Sequence, residues 1–193
     1  MSKYQEVEVK YPLHNREVVL QQINNLNMVC TRTNEYQNDT YYTPIHRDFL
    51  SQQIVSEWLR IRETNTKCTL NFKQWLPIGA EIQNHCNEYE TVVQDIYALK
   101  TILKLLDFKE IIVVNKTRSS WVYENVEISI DYVDGLGSFI ELEAMDKVIE
   151  DSKIEDVHKH FIDILSILKA ETGKRDRRGY PYLLLAKKIP GDM

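Results

Sequence analysis

The chain has 193 residues, of which 43% are hydrophobic and 27% are charged, and its net charge at pH 7 is −5. These values are ordinary for a water-soluble protein with one substantial core, and the acidic balance argues against nucleic acid as a partner. No apolar run approaches the ~20 residues of a membrane span, and the N-terminus is too charged for a signal peptide, so we expect no membrane partner.

The chain is predicted to form one strand, a helix, four strands, a second helix, three strands and a final helix. The eight strands are short and rich in β-branched and aromatic residues; they are Tyr4–Lys10, Gln37–Tyr42, Glu57–Glu63, Lys67–Lys73, Glu88–Val93, Ile111–Arg118, Val126–Val133 and Ser138–Ala144. The three helices have apolar residues at helical spacing and cover Arg16–Leu26, Val92–Leu106 and Ile154–Leu168. Because runs of consecutive strands favour antiparallel pairing, we predict an α+β fold with an eight-stranded antiparallel β-barrel.

No segment has the composition of a linker, so we expect a single domain over residues 1–193. The cysteines are odd in number and widely spaced, which indicates reduced thiols and a cytoplasmic location; they are Cys30, Cys68 and Cys86. A basic cluster near the C-terminus is best explained as a solvated surface turn, and its members are Lys174, Arg175, Arg177 and Arg178.

The first strand alternates charged and β-branched residues in the order Glu6-Val7-Glu8-Val9-Lys10. Neighbouring side chains of a strand point to opposite faces, so the charged residues share one face and the two valines share the other. Two carboxylates on one face repel each other, so that face needs a cation if it is enclosed.

The same alternation recurs in most of the other strands. For one strand alone, the simpler explanation is a face in the core and a face in water. The recurrence instead predicts a barrel with a charged lumen and an apolar outer face under the helices, which would carry Val7, Val9, Leu59, Ile61, Ile140 and Leu142. The charged lumen would contain the cations Lys10, Arg60, Arg62, Lys73, Lys116 and Arg118, and the carboxylates Glu6, Glu8, Glu88, Glu90, Asp131, Glu141 and Glu143.

A charged lumen has to hold water or a counter-charged ligand, because unpaired buried charge is too costly. Arginine and lysine suit several phosphates, since arginine binds phosphate oxygens bidentately and lysine adds a point charge. Carboxylates without histidine or cysteine suit Mg²⁺ or Mn²⁺ better than Zn²⁺. The pattern therefore predicts a metal-dependent site for a small polyphosphate.

The Glu6-x-Glu8-x-Lys10 pattern resembles the signature of the CYTH domain, which is the domain of the triphosphate tunnel metalloenzymes. The resemblance continues in order through nearly the whole chain, in the blocks Gln37-x-Asp39-x-Tyr41-Tyr42, Arg47-Asp48-Phe49, Leu59-Arg60-Ile61-Arg62, Phe72-Lys73, Asn115-Lys116-Thr117-Arg118, Asp131-Tyr132-Val133, Gly135-Leu136-Gly137-Ser138-Phe139 and Glu141-Leu142-Glu143. The Arg-Asp-Phe and Gly-Leu-Gly-Ser-Phe blocks are most similar to the class IV adenylyl cyclase branch.

This resemblance implies a tunnel that binds a triphosphate and two divalent ions, either magnesium or manganese. Carried onto this chain, it implies the metal ligands Glu6, Glu8, Asp131, Glu141 and Glu143, and the phosphate-binding residues Lys10, Arg60, Arg62, Lys73, Lys116 and Arg118. It also implies catalytic roles for Glu6, Glu8 and Lys10. Glu88 and Glu90 remain further candidates for the lumen, on the strand alternation alone.

The implied activity is that of a class IV adenylyl cyclase, which converts ATP into cyclic AMP and pyrophosphate. Hydrolysis of thiamine triphosphate or inorganic tripolyphosphate is the alternative, since the same scaffold supports it. A non-catalytic binder of nucleotides or polyphosphate is a third alternative. The expected partner is thus a small-molecule triphosphate, and the sequence leaves a homodimer open.

Overall fold

The computed structural model describes residues 5–79, 85–145, 154–175 and 179–188, without the side chains of Gln5, Glu6, His85 and Lys188. In chain order these residues form β1 (Gln5–Glu6), β2 (Glu8–Pro12), α1 (Arg16–Asn25), β3 (Val29–Pro44), β4 (Glu57–Glu63), β5 (Cys68–Leu76), β6 (His85–Val92), α2 (Ile96–Leu105), β7 (Phe108–Tyr123), β8 (Val126–Val133), β9 (Gly137–Ala144), α3 (Ile154–Ile167) and α4 (Tyr180–Lys188). The chain divides into two compact units, the first with Met1–Glu35 and Lys116–Gly179 and the second with Tyr36–Asn115 and Tyr180–Met193.

In the first unit, strands pair antiparallel in the order β7-β8-β9-β2. The β7–β8 hairpin turns through Glu124 and Asn125, which both have positive φ, as a two-residue type I′ turn requires. The β8–β9 connection turns through Gly135 and Gly137, which also have positive φ. These tight turns fix the register, and register decides which residues share a face.

One face of this sheet carries the core of the first unit. Helices α1 and α3 pack on it, and the fully buried residues include Ile128, Ile140, Leu142, Phe161 and Ile164. Val7 and Val9 belong to the same core, so the predicted apolar face under the helices is confirmed for both valines, Ile140 and Leu142. Because strand residues alternate, the opposite face takes the charged residues.

In the second unit, strands pair antiparallel in the order β6-β5-β4-β3. Helix α2 begins after Asp95, whose side chain accepts a hydrogen bond from the Ala98 amide as an N-cap. Its Leu103 packs with Tyr42 and Ile61 in a small core, against the partly buried residues Leu59, Cys68, Leu70, Ile96, Leu99 and Phe108. The apolar positions predicted at Leu59 and Ile61 are therefore confirmed.

The predicted α+β class with antiparallel strands is confirmed, and each predicted strand overlaps an observed one. The bounds of β4 and β8 are those predicted, whereas the first predicted strand divides into β1 and β2. Strands β3 and β7 are 16 residues each and continue beyond the predicted bounds at both ends. The residues added at the start of β3 are mostly exposed and polar, and they lack the alternation from which a strand is predicted. A single domain over residues 1–193 stays a prediction.

One predicted helix has a wrong start, and one helix was missed. The second helix starts at Ile96 rather than Val92, because Asp95 caps it and Val92 still pairs with Thr69 at the end of β6. Helix α4 was missed, although Pro181 lies in its first turn, where proline is tolerated. Among the described residues, no helix combines the length and apolar character needed to span a membrane.

Candidate functional site

The face of the first unit that is turned away from α1 and α3 carries most of its buried charge. Neighbouring strands bring opposite charges together: Lys10 lies across from Glu141, and Arg118 lies across from Asp131. Lys116, Arg118, Asp131 and Glu141 are all at most 6% exposed. Buried charge is tolerated only when it is paired and hydrogen-bonded, so the partners of each group decide what the face can do.

Three carboxylates of this face lie close together. One carboxylate oxygen each from Glu8, Glu141 and Glu143 lies within 4.8 Å of the other two. Glu8 and Glu143 are directly opposite each other on β2 and β9, where like charges destabilise a sheet. A set of oxygen donors without histidine or cysteine fits a hard divalent cation, which would also relieve the repulsion. We name this set the carboxylate group.

Glu141 joins the carboxylate group to two cations. Its carboxylate lies 3.0 Å from Lys10 Nζ and accepts a hydrogen bond of 3.0 Å from Arg118 Nη2. Burial by itself would raise the pKa of Glu141, but Arg118, Lys10 and Lys116 outweigh it and hold the pKa well below its usual value. Burial likewise opposes the charge of Lys10, yet Glu141 and Glu8 raise its pKa above normal. Both groups are therefore charged at neutral pH.

Asp131 lies outside the carboxylate group and binds two cations instead. Its carboxylate accepts two hydrogen bonds of 2.7 Å from Nε and Nη2 of Arg118, and one of 2.9 Å from Lys116 Nζ. Burial opposes its ionisation, but Arg118 and Lys116 lower its pKa far below normal. Asp131 thus fixes the orientation of both cations, and its predicted role as a metal ligand stays a prediction.

Glu6 is the predicted site residue that the structure describes least. Its backbone belongs to β1, whereas its side chain lies outside the described residues. The predicted metal-binding and catalytic roles of Glu6 therefore stay predictions, and Val7, which separates it from β2, packs into the core of the first unit.

The second unit has its own charged face, centred on a buried aspartate. Asp39 is 1% exposed and accepts two hydrogen bonds of 2.7 Å from Nε and Nη2 of Arg62. Arg60 Nη1 lies 3.7 Å from the same carboxylate, and its Nη2 lies 3.8 Å from Glu90. The structure therefore brings Arg60 and Arg62 together, as their alternation in β4 predicts.

The remaining predicted residues of this second face are paired across β5 and β6. Lys73 lies directly opposite Glu88, with 3.7 Å between Nζ and Oε1. Asn71 lies opposite Glu90 and donates hydrogen bonds to both carboxylates. Glu88 and Glu90 thus face the predicted phosphate-binding residues of their own unit.

Asp39 is the site residue whose role sequence reasoning missed. Its signal was present, because Asp39 shares an alternating strand with Tyr41 and lies opposite Arg62 in the β3–β4 register. A further feature is the Nε atom of Arg60, which is buried and donates to no acceptor among the described residues. A buried donor of this kind is usually matched by an acceptor, and a phosphate oxygen is a suitable one.

The sequence is similar to a known domain family and to a known protein. The sequence model of the CYTH domain family matches residues 4–180. A Methanocaldococcus jannaschii protein with the provisional name adenylate cyclase is 33% identical over 171 residues, which are 89% of this chain and 91% of that protein.

Two solved structures have the same fold. A Pyrococcus horikoshii protein is 32% identical with a TM-score of 0.76, covering 94% of this chain and 99% of that one. A Vibrio parahaemolyticus protein, provisionally named adenylate cyclase, is 19% identical with a TM-score of 0.79, covering 95% of this chain and 99% of that one. The likeness to the second structure concerns the fold alone.

Proposed function

Because the chain belongs to the CYTH domain family, we propose that it is a metal-dependent enzyme that converts ATP into cyclic AMP and pyrophosphate. The observation that carries the proposal is the carboxylate group, with oxygens of Glu8, Glu141 and Glu143 within 4.8 Å of one another beside Lys10 and Arg118. Support for a cyclase comes from the relative in Methanocaldococcus jannaschii and from the Arg47-Asp48-Phe49 block of the sequence.

The carboxylate group would hold Mg²⁺ or Mn²⁺, and Glu6 and Asp131 are proposed as further ligands when two ions bind. The chemistry that the metal supplies when bound is neutralisation and orientation of the triphosphate oxygens. The oxygen-only donors and the like charges at Glu8 and Glu143 support this choice of ion.

The cations of the two charged faces are proposed to bind phosphate oxygens. In the first unit these are Lys10, Lys116 and Arg118, and in the second they are Arg60, Arg62 and Lys73. Two of the arginines are already held in bidentate pairs by carboxylates. Asp131 holds Arg118, and Asp39 holds Arg62. Donors that are oriented before the substrate arrives do not have to reorganise during the reaction.

In the proposed reaction the ribose 3′-oxygen attacks the α-phosphorus in line, and pyrophosphate leaves. The proton of the 3′-hydroxyl needs an acceptor. Glu141 is a poor one, because the neighbouring cations keep its pKa well below normal and so reduce its proton affinity. Glu8 and Glu143 are the members of the carboxylate group that remain as candidates for the general base.

Product analysis tests this function and separates it from its alternatives. The protein is incubated with ATP, thiamine triphosphate or tripolyphosphate, each with Mg²⁺ and with Mn²⁺. Cyclic AMP and pyrophosphate are the expected products, whereas orthophosphate from any of the three substrates would establish a triphosphatase. Tight metal-dependent binding without turnover would establish a non-catalytic binder and overturn the proposed reaction.

A further inference from the structure

The segment Glu171–Arg175 lies along the edge of β2 that β9 does not occupy. Leu13 and Thr172 form an antiparallel bridge, flanked by hydrogen bonds of 2.9 Å from the His14 amide to the Glu171 carbonyl and from the Gly173 amide to the Pro12 carbonyl. Backbone contacts of this kind cover a strand edge that would otherwise stay open. The C-terminal part of the first unit is therefore attached to the strand that carries Glu8 and Lys10.

Arg175 reaches Glu8 from this segment. Its Nη2 donates a hydrogen bond of 3.1 Å to the backbone carbonyl of Glu8, and the side chain is partly buried. Lys174, its neighbour in the same basic cluster, is exposed. The cluster predicted as a solvated turn thus includes one arginine, Arg175, that contacts β2. Arg177 and Arg178 lie outside the described residues.

Gly173 sets the distance between the segment and β2. A Cβ atom at this position would lie 3.1 Å from His14 Nε2, 3.1 Å from Pro12 Cβ and 3.2 Å from Pro12 Cγ. The proline ring is rigid and forms part of β2, so a larger residue has to displace the segment by a few tenths of an ångström. Any such displacement also moves Arg175 relative to Glu8.

We infer that Arg175 is a positioning residue for the carboxylate group, acting through the backbone of Glu8. The Glu8 and Glu143 side chains repel each other across β2 and β9, which tends to push Glu8 out of place. The guanidinium of Arg175 holds the Glu8 carbonyl from the outer edge of β2 and opposes this displacement. The inference rests on the proposed metal site, and residues that orient metal ligands typically change metal affinity by 10- to 100-fold.

A purely electrostatic effect would have the opposite sign. Removing a positive charge near a group of carboxylates makes that group more attractive to a divalent cation. Removing a positioning hydrogen bond makes the metal site less well ordered and therefore weaker. The direction of the change in metal affinity thus separates positioning by Arg175 from simple charge.

The test is the affinity of the full chain for Mn²⁺ alone, measured by isothermal titration calorimetry. Arg175→Met should weaken binding about 10-fold, and Arg175→Lys, which keeps the charge but loses the planar fork, should weaken it less. Gly173→Ala should weaken binding although Arg175 is intact, and combined with Arg175→Met it should add little, because both changes break one contact. Lys174→Met removes an exposed charge from the same segment and should not weaken binding.

Unfolding midpoints in EDTA show whether a variant is merely less stable. If Arg175→Met melts early, Arg175→Lys and Gly173→Ala carry the test. Equal or tighter Mn²⁺ binding in the Arg175 variants, compared with Lys174→Met, would overturn the inference and leave the metal site in place. A wild-type chain that binds no Mn²⁺ would overturn the proposed metal site, and this inference with it.

Discussion

The two charged faces have the same alternating strand pattern but differ in how their carboxylates are arranged. In the first unit, the members of the carboxylate group lie near one another, and Glu143 has acidic neighbours on both sides, opposite Glu8 on β2 and opposite Glu127 on β8. In the second unit, the central aspartate is held by two arginines and the two outer glutamates lie beside Lys73 and Arg60. The first face keeps three acids together, of which Glu141 is also paired with Lys10 and Arg118, whereas the second face pairs its central aspartate and its two outer glutamates with bases.

This difference indicates that the two faces have different roles. Carboxylates that repel one another raise the free energy of the metal-free face, and a divalent cation recovers that energy on binding. Carboxylates that are paired with arginine instead fix the arginine in one orientation. We therefore expect the stability of the first face to depend mainly on bound metal. The stability of the second face should depend mainly on its carboxylate–arginine pairs.

The largest expected effect is on catalysis. Glu143→Gln replaces one carboxylate oxygen with an amide nitrogen and removes the negative charge, and metal-assisted stabilisation of a transition state is worth several kcal/mol. Since each 1.36 kcal/mol is tenfold in rate, turnover should fall about 1,000-fold. Steady-state assays with saturating Mn²⁺ measure it, and Glu17→Gln, an exposed residue of α1, is the matched control. Turnover within threefold of that control would contradict a metal role for the carboxylate group.

The next largest effect is on folding, and it belongs to the second face. Asp39→Ala leaves Arg62 without its bidentate partner in a largely buried position, so the free energy of unfolding should fall by about 3 kcal/mol. Glu63→Ala breaks the Lys100–Glu63 pair of the same unit, which is 2.8 Å long but more than a third exposed, and should cost under about 1 kcal/mol. Urea titrations measure both, and equal losses would show that burial of the Asp39 pair is unimportant.

Sequence reasoning predicted the elements in which alternation is regular. Strand β8 is an example, since its alternate residues Ile128 and Ile130 are buried in the core while Asp131 lies on the charged face. The strand bounds and the sharing of a face follow from this period of two. The α+β class followed in the same way, from runs of consecutive strands.

What sequence reasoning missed depends on register and on tertiary contacts. Asp39 and Arg62 are far apart in the chain, and only the β3–β4 register places them opposite each other. Arg175 has a charged neighbour on each side in the sequence, so nothing local distinguishes it from a solvated residue. Its contact with Glu8 exists because Gly173 lets the segment approach β2 closely.

Acid should lower the free energy of unfolding through the buried carboxylates of the first face. The folded-state pKa values of Asp131 and Glu141 lie below their ordinary values near 3.8 and 4.5, because Arg118 and its neighbouring lysines overcome the effect of burial. Their contribution to stability is therefore complete above about pH 5 and is lost as the pH falls through the lowered values. Urea unfolding in EDTA between pH 6 and pH 3 measures this, and stability that does not fall below pH 4.5 would contradict it.

The smallest effect gives the sharpest comparison, because its sign reverses with metal. Without metal, Glu143→Gln relieves repulsion from Glu8 and Glu127 on the neighbouring strands, so the free energy of unfolding should rise by about 0.5 kcal/mol. With Mn²⁺ at 100 times its dissociation constant, the wild type should gain about 2.7 kcal/mol that the variant lacks. Asp39→Ala should lower the free energy of unfolding both in EDTA and in Mn²⁺. The difference between these two values should stay that of the wild type. Urea unfolding of the wild type and both variants, in EDTA and in Mn²⁺, gives six free energies of unfolding. A metal increment that is lost in Asp39→Ala but kept in Glu143→Gln would reverse the assignment of the two faces.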